Sequence, residues 1–250
     1  MKVALCLHGN FNSNYDKTST GLDGYKYIKE KILNKYETDV FIHSWDHKNK
    51  NKIIKLYEPV DCLFEDQKSF DDIIETNGLS DLINQSRPPR TVLSHLYSVS
   101  QSFKLCYNKN SHYDLIIKAR FDLGRINRFN THPLISFYSF FRGNGLIYPV
   151  QTIKIIHPIN KTKIYTAYWK KFENGPADMW FYGSQETMKI FTGLYEDLIK
   201  DFRIDSDYAM YVKKNISESF DISNAVNYYK FWFLKYDKWK DLEPIKTKWS

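Results

Sequence analysis

The chain has 250 residues, 42% hydrophobic and 26% charged, with only 10 Gly and 8 Pro; this describes a folded globular protein and excludes disordered, collagenous and membrane-embedded classes. Aromatic residues are in surplus, at 19 Tyr, 17 Phe and 6 Trp, and must be either core or binding surface. The net charge of +7 favours polyanionic partners such as phosphates, nucleic acid or an anionic membrane surface, without choosing among them.

Val3 to Leu7 is a short apolar run closed by Gly9, the pattern of a strand buried in a parallel sheet. That run is too short for a signal-peptide core, and no stretch approaches the ~18–20 apolar residues that span a bilayer. Cys6, Cys62 and Cys106 lack C-x-x-C spacing and read as reduced thiols, which points to a cytoplasmic setting. Residues 9–23 are loop-forming, after which Tyr25, Ile28, Ile32, Leu33 and Tyr36 recur at helical spacing. Asp39 to Ser44 is a second strand, so the first segment predicts a βαβ unit with a right-handed crossover. The run Lys48-Asn49-Lys50-Asn51-Lys52 reads as a solvated loop. With no arginine-rich arm and no nucleic-acid motif, nucleic acid is not an expected partner.

A strand is expected near Val60 and a helix over Phe70 to Leu82. Arg87-Pro88-Pro89-Arg90 breaks the chain, and Val92, Leu93, Leu96, Tyr97, Ser100, Phe103 and Cys106 then trace a helical stripe leading into a strand over Asp114 to Ala119. β-like segments follow at 145–150, 152–156 and 177–182. Ser184 is placed to cap a helix with Glu186 in its first turn and Met188, Phe191, Leu194, Tyr195 and Leu198 on one face. Another helix is expected over 206–214, and the tail from Tyr228 is aromatic and basic. Asn160-Lys161-Thr162 and Asn215-Ile216-Ser217 match the glycosylation sequon but read as chance matches without an export signal. No repeat or linker is visible, so one continuous domain is expected.

Ligands of open α/β sheets bind beyond the carboxyl ends of the strands. That rule selects His8-Gly9-Asn10, His43-Ser44-Trp45-Asp46 and Arg120-Phe121-Asp122. The Gly9 loop carries neither G-x-G-x-x-G nor the P-loop pattern. Period-two alternation sets Lys118, Arg120 and Asp122 on one side of the chain; the two cations suit a phosphate and the carboxylate suits Mg²⁺ or Mn²⁺, while an Arg–Asp pair capping a strand end is the plain alternative. Asp178 lies among apolar and aromatic neighbours, where desolvation would raise its pKa towards general-base work; a solvent-facing Asp at a strand start is the other reading. Tyr165, Tyr168 and Trp169 either stack on a sugar or fill the core. His8, His43 and His157 lack the i, i+4 pairing of a zinc site and, by spacing alone, read as structural.

Taken together, Ala4-Leu5-Cys6-Leu7-His8-Gly9-Asn10, the Asp39 to Asp46 strand, the Tyr113 to Leu123 strand and Asp178 to Ser184 resemble, in order and interval over residues 2–200, a family of GT-A-type glycosyltransferases of viral and bacterial capsule, lipopolysaccharide or glycan synthesis. The resemblance implies one α/β GT-A-like (Rossmann-like) domain with a mainly parallel central sheet flanked by helices, residues 1–123 binding the nucleotide and 124–250 the acceptor. It implies transfer from a nucleotide-sugar donor to a glycan, polysaccharide or lipid-linked acceptor with Mn²⁺ or Mg²⁺, in the cytoplasm (the host's, for a viral protein) and with a peripheral membrane contact left open. On that reading His8, Gly9, Asn10, Ser44, Trp45, Arg90, Lys118, Arg120 and Asp122 hold the donor. Asp122 matches the last carboxylate of a D-x-D-like motif and is the metal ligand, and Asp178 is the candidate base of an inverting transfer. Arg120 stands where the first Asp of the motif would be, which weakens metal binding but lets a guanidinium pair with the diphosphate. The family's C-terminal metal-binding His has no counterpart after His157, leaving His157, Asp205, Asp207 or solvent. The tail Tyr228-Tyr229-Lys230-Phe231-Trp232-Phe233 would touch a membrane or close over the site. A non-catalytic nucleotide- or carbohydrate-binding module with a degenerate site is the alternative.

Overall fold

Five apolar residues in succession can be satisfied only by cover on both faces, and Lys2–His8 (β1) accordingly lies inside a seven-stranded sheet. The computed structural model describes residues 1–12, 20–80, 88–124, 151–168, 172–215 and 225–246. β1 pairs in parallel with Glu37–Ser44 (β2) and Leu115–Arg120 (β4), and β2 in turn with Asp61–Phe64 (β3). Beyond β4 the direction reverses: Trp180–Gly183 (β6) runs antiparallel to both β4 and Ile164–Ala167 (β5), and β5 pairs in parallel with Leu242–Ile245 (β7). The order is β3-β2-β1-β4-β6-β5-β7. The expected single α/β domain with a mostly parallel central sheet therefore holds.

Alternation along the strands sorts the core into two layers. Ala4, Cys6, Phe41, Ile116 and Phe181 face a helical layer built from Asp71–Thr76 (α3), Pro89–Asn108 (α4), Gln185–Met188 (α5), Leu194–Asp201 (α6), Asp207–Asn215 (α7) and Ala225–Lys235 (α8). Val3, Leu5, Leu7, Ile42, Ile117 and Tyr182 face Ile28 of Thr20–Ile28 (α1), Ile53 and Tyr57 of Lys50–Tyr57 (α2) and a non-helical segment carrying Ile153. The same alternation puts the polar members of the first face, His8, His43, Lys118 and Arg120, on the α4 side. α4 begins as the break predicted: Pro88 is extended and Pro89 takes the first helical position, where a missing N–H leaves nothing unpaired. Ser184 caps α5, its Oγ accepting the Thr187 N–H at 3.2 Å and donating to the Lys161 carbonyl at 2.8 Å. Ser184→Ala is therefore expected to cost about 1–2 kcal/mol, read as a fall in the urea midpoint.

Several expectations are corrected. The Lys48–Lys52 run is solvated but helical, because Ile53 and Tyr57, four apart, pin α2 to the sheet. Residues 152–156 join no strand: the N–H groups of Ile153, Ile156 and Asn160 donate to the hydroxyls of Tyr27, Tyr182 and Tyr165 at 3.0, 3.0 and 2.9 Å. The strand placed near Val60 starts at Asp61, and the helix from Phe70 ends at Thr76. The aromatic tail is largely core: α8 buries Tyr228, Tyr229, Trp232 and Phe233, with Tyr229 against Phe181 and Trp232 against Phe191. Tyr165 and Tyr182 likewise stack inside the core at 4.8 Å rather than awaiting a sugar. Cys6, Cys62 and Cys106 are free thiols. The 145–150 segment, Leu82, Arg87, Trp169, Ile216 and Ser217 lie outside the described residues. Among the described residues no helix is long and apolar enough to cross a membrane.

Candidate functional site

From β1 the chain adds β2 and β3 on one side and then returns to place β4 on the other, and ligands of such sheets bind at the carboxyl ends where this order reverses. The last register pair there is His8 with Arg120, and His8 also faces His43 across β2. Arg120 forks onto Asp122, Nε and Nη2 donating to the two carboxylate oxygens at 2.9 Å each. Its Nη1 donates to Asp178 Oδ2 at 3.3 Å. The β4–β6 ladder makes this meeting possible: Ala119 pairs with Trp180, and the Arg120 N–H reaches the Met179 carbonyl at 3.3 Å, so the next residue out is Asp178. The two clusters picked out separately from the sequence are thus one.

Lys118 is fully buried, donates through Nζ to the Asp178 carbonyl, and lies over the rings of Phe181 and Tyr229 at 5.2 and 5.6 Å. It supports the Asp178 turn from beneath and is not exposed to a diphosphate, a correction to its expected role. α4 contributes His95, whose Nε2 is 4.0 Å from Asp178 Oδ2 and 3.4 Å from the Tyr229 hydroxyl. The His95 ring meets the His8 ring edge-on at 5.0 Å. His8 is 1% exposed, and neither of its ring nitrogens has a hydrogen-bond partner.

Burial and the two cations keep both imidazoles neutral. Burial first, then Lys118 and Arg120, pushes His95 down to about 3 against the opposing pull of Asp178, and burial with Lys118 and the neighbouring histidines holds His8 well below its ordinary value. Lys118 falls to about 7 through burial, reinforced by Arg120 and opposed by Asp178 and Asp122. Asp122, ahead of an opposing burial effect, raises the Arg120 guanidinium further. For Asp178 burial alone would raise the carboxyl, but Arg120, His95 and Lys118 outweigh it and bring the group down to about 2. The raised-pKa base expected from the aromatic surroundings is thus a firmly ionised carboxylate, because the sequence does not show that Arg120 folds onto it.

The remaining expected site residues serve as braces. The Gly9 N–H donates to Ser98 Oγ at 3.0 Å, and Ser44 Oγ donates to the Gly9 carbonyl at 2.8 Å, holding a loop whose φ of +94° favours glycine. Ser98 Oγ is 2.7 Å from His43 Nδ1, and His43 Nε2 is 2.9 Å from Glu65. Trp45 stacks on Tyr97 at 5.3 Å, and both Ser44 and Trp45 are buried. Asn10 is exposed beside this loop. Arg90, half exposed in the first turn of α4, pairs with Asp71 at 3.5 Å. His95 was not anticipated, and Tyr229 was expected only as part of the aromatic tail. The signal for His95 lies in α4, where His95, Ser98 and Ser102 recur at i, i+3 and i+7, with Ser98 and Ser102 fully buried.

The divalent ion implied by the resemblance does not fit these side chains. Among the described residues no three His, Cys, Asp or Glu groups converge as a donor set, and Asp122 spends both oxygens on Arg120. The remaining acids and His157 are engaged elsewhere: His157 lies 3.3 Å from the Tyr36 hydroxyl, Asp205 pairs with Arg203, and Asp207 opens α7.

No family model matches this chain, and no curated protein matches it in sequence. Among solved structures, mouse xyloside xylosyltransferase 1 in its apo form is similar over 98% of this chain and 85% of its own, with 8% identity and a TM-score of 0.41, a likeness too distant to fix a family.

Proposed function

We propose that the chain is a nucleotide-sugar-dependent glycosyltransferase whose donor reacts, at the Arg120–Asp122–Asp178 cluster, with a hydroxyl of a glycan or lipid-linked acceptor. One observation carries this reading: a guanidinium clasped by two carboxylates, flanked by two neutral imidazoles, sits where the strand order reverses between β1 and β4. These groups supply the acceptors and donors that orient hydroxyl-rich ligands. The four-segment sequence resemblance supports the same class. On this reading residues 1–123 carry the donor side and 124–250 the acceptor side.

Asp178 accepts a hydrogen bond from the acceptor hydroxyl and aligns it on the sugar carbon; as the new C–O bond forms, the bond from that carbon to the nucleoside diphosphate breaks, the diphosphate leaves with the electron pair, and the hydroxyl proton passes to water. A carboxyl held at about 2 is a weak base, so alignment and the fixed negative charge, rather than proton affinity, are its contribution. Arg120 locks that carboxylate in place, and Lys118 fixes the backbone that carries it.

A thermal-shift panel of UDP, GDP and their sugar conjugates, with Mn²⁺ or with EDTA, tests the class: a true donor at about 100 times its dissociation constant stabilises by about 2.7 kcal/mol. Absence of any shift across the panel overturns it. Asp178→Asn is expected to lower kcat at least about 100-fold while leaving affinity for the nucleoside diphosphate nearly unchanged. Near-normal turnover removes Asp178 from the chemistry, and tight donor binding with no turnover in the unmodified chain identifies a binding module instead.

A further inference from the structure

We infer that the cluster is a metal-independent seat for the uncharged sugar ring of the donor, and not for its diphosphate. This rests on the glycosyltransferase reading and adds to it the part of the donor bound at this site and the class of sugar accepted.

Charge is the first ground. The two cations at the strand ends are already spent: the Lys118 ammonium points inward onto the Asp178 carbonyl between two rings, and Arg120 directs three of its five N–H groups at Asp122 and Asp178. Two cations against two carboxylates leave no surplus positive charge. A diphosphate placed against this cluster would meet two carboxylates whose paired cations are already engaged, whereas a neutral ring meets no such repulsion.

The second ground is an unmet hydrogen-bonding demand. His8 is buried at 1% exposure with both ring nitrogens unpartnered, beside His95 and in register with Arg120. A neutral imidazole offers one donor and one acceptor, which matches a sugar hydroxyl, itself donor and acceptor. Leaving both nitrogens unmet carries a desolvation penalty, which a hydroxyl bound at the ring removes. Asp122 and Asp178, 16% and 26% exposed at their side chains, add acceptor oxygens at the rim.

The third ground is the place of Arg120 itself. It bridges Asp122 and Asp178 with a fixed part of the chain, and Asp122 has no oxygen left uncommitted.

The test is calorimetric titration of the full chain in EDTA with UDP and GDP, and with UDP-glucose, UDP-galactose, UDP-N-acetylglucosamine, UDP-xylose, GDP-mannose and GDP-fucose. The best uncharged sugar nucleotide is expected to bind at least about ten-fold tighter than its own nucleoside diphosphate, with no gain on adding Mn²⁺. UDP-glucuronate, whose sugar carboxylate would face Asp122 and Asp178, is expected to lack that gain. His8→Phe should abolish the ten-fold gain, leave nucleoside diphosphate affinity within two-fold, and raise the melting temperature, since an unpartnered polar group leaves the core. Asp122→Asn, which keeps side-chain volume, should cut the same gain and serves if His8→Phe does not fold. The inference is overturned if the sugar gain needs Mn²⁺, if His8→Phe leaves the gain intact, or if Asp122→Asn weakens UDP and UDP-sugar equally. Failure of every nucleotide to bind, with or without Mn²⁺, instead overturns the glycosyltransferase reading beneath it.

Discussion

Replacing Arg120 by alanine is expected to destabilise the fold by about 2–4 kcal/mol, because removing one member of a buried ion cluster strands the charges left behind. The guanidinium is 34% exposed, which sets the loss below that of a fully buried pair. Two carboxylates, Asp122 and Asp178, would then face one another with only Lys118, beneath the turn, to offset them. Arg120→Lys keeps the charge but loses the two-pronged contact with Asp122, and should recover less than half of the loss. Combining Arg120→Ala with Asp122→Asn and Asp178→Asn should recover most of it. Urea unfolding of the series decides the matter: a loss under about 0.5 kcal/mol for Arg120→Ala would mean that solvent already screens the cluster as it does surface pairs.

Stability should also climb steadily from pH 5 to about pH 9. His8 and His95 are held neutral in the fold by burial and by the charges of Lys118 and Arg120, with Asp178 opposing at His95 and the Tyr229 hydroxyl adjoining it. Their folded pKa values lie below 6.5, so the unfolded chain takes up protons first as the pH falls. Their contribution is complete above pH 6.5 and lost on acidification, down to about 3 for His95. Each contributes a slope of up to about 1.4 kcal/mol per pH unit, or about 2 kcal/mol by pH 5. Lys118 acts in the same sense at higher pH: its folded value of about 7 lies below the ordinary 10.5, so the cost of its buried charge is relieved as the pH rises between the two. Melting curves at pH 5, 6, 7 and 8.5 should show this rise, with Lys118→Met flattening the upper part and His95→Phe the lower. A melting temperature that is level between pH 5 and 7 would be incompatible with buried neutral imidazoles.

Legibility of the sequence tracked the locality of the forces involved. β1, β2 and β4 were readable because strands buried on both faces give unbroken apolar runs, and α4 because its stripe repeats over five turns. β5, only four residues long, offered no period, and its Tyr165 resembled a sugar platform until β6 was seen to stack on it. The identity of the α2 segment was hidden by lysines and asparagines whose helical state depends on two distant core contacts. At the site, the strand-end rule and alternation found His8, Arg120, Asp122 and Asp178, yet treated Asp178 as a separate centre. Its neighbour Arg120 is 58 residues away in sequence, and only the antiparallel register of β6 brings them together. Arg120, together with His95 and Lys118, reverses the direction of the Asp178 pKa, which is why composition around a residue was a poor guide to its ionisation.

The segment anchored by Tyr27, Tyr182 and Tyr165 carries Ile153, Ile155, Ile156 and Ile159 over one face of the sheet. Such a β-branched stretch with free amides is a template on which another chain can build a strand. Here phenol oxygens stand in for the missing neighbour, and Tyr182 completes the exchange by donating to the Lys154 carbonyl at 3.0 Å. Part of the aromatic surplus therefore protects colloidal behaviour: at these positions a phenylalanine would fill the same space while leaving backbone groups open to a second molecule, so the hydroxyls help keep copies of the chain apart.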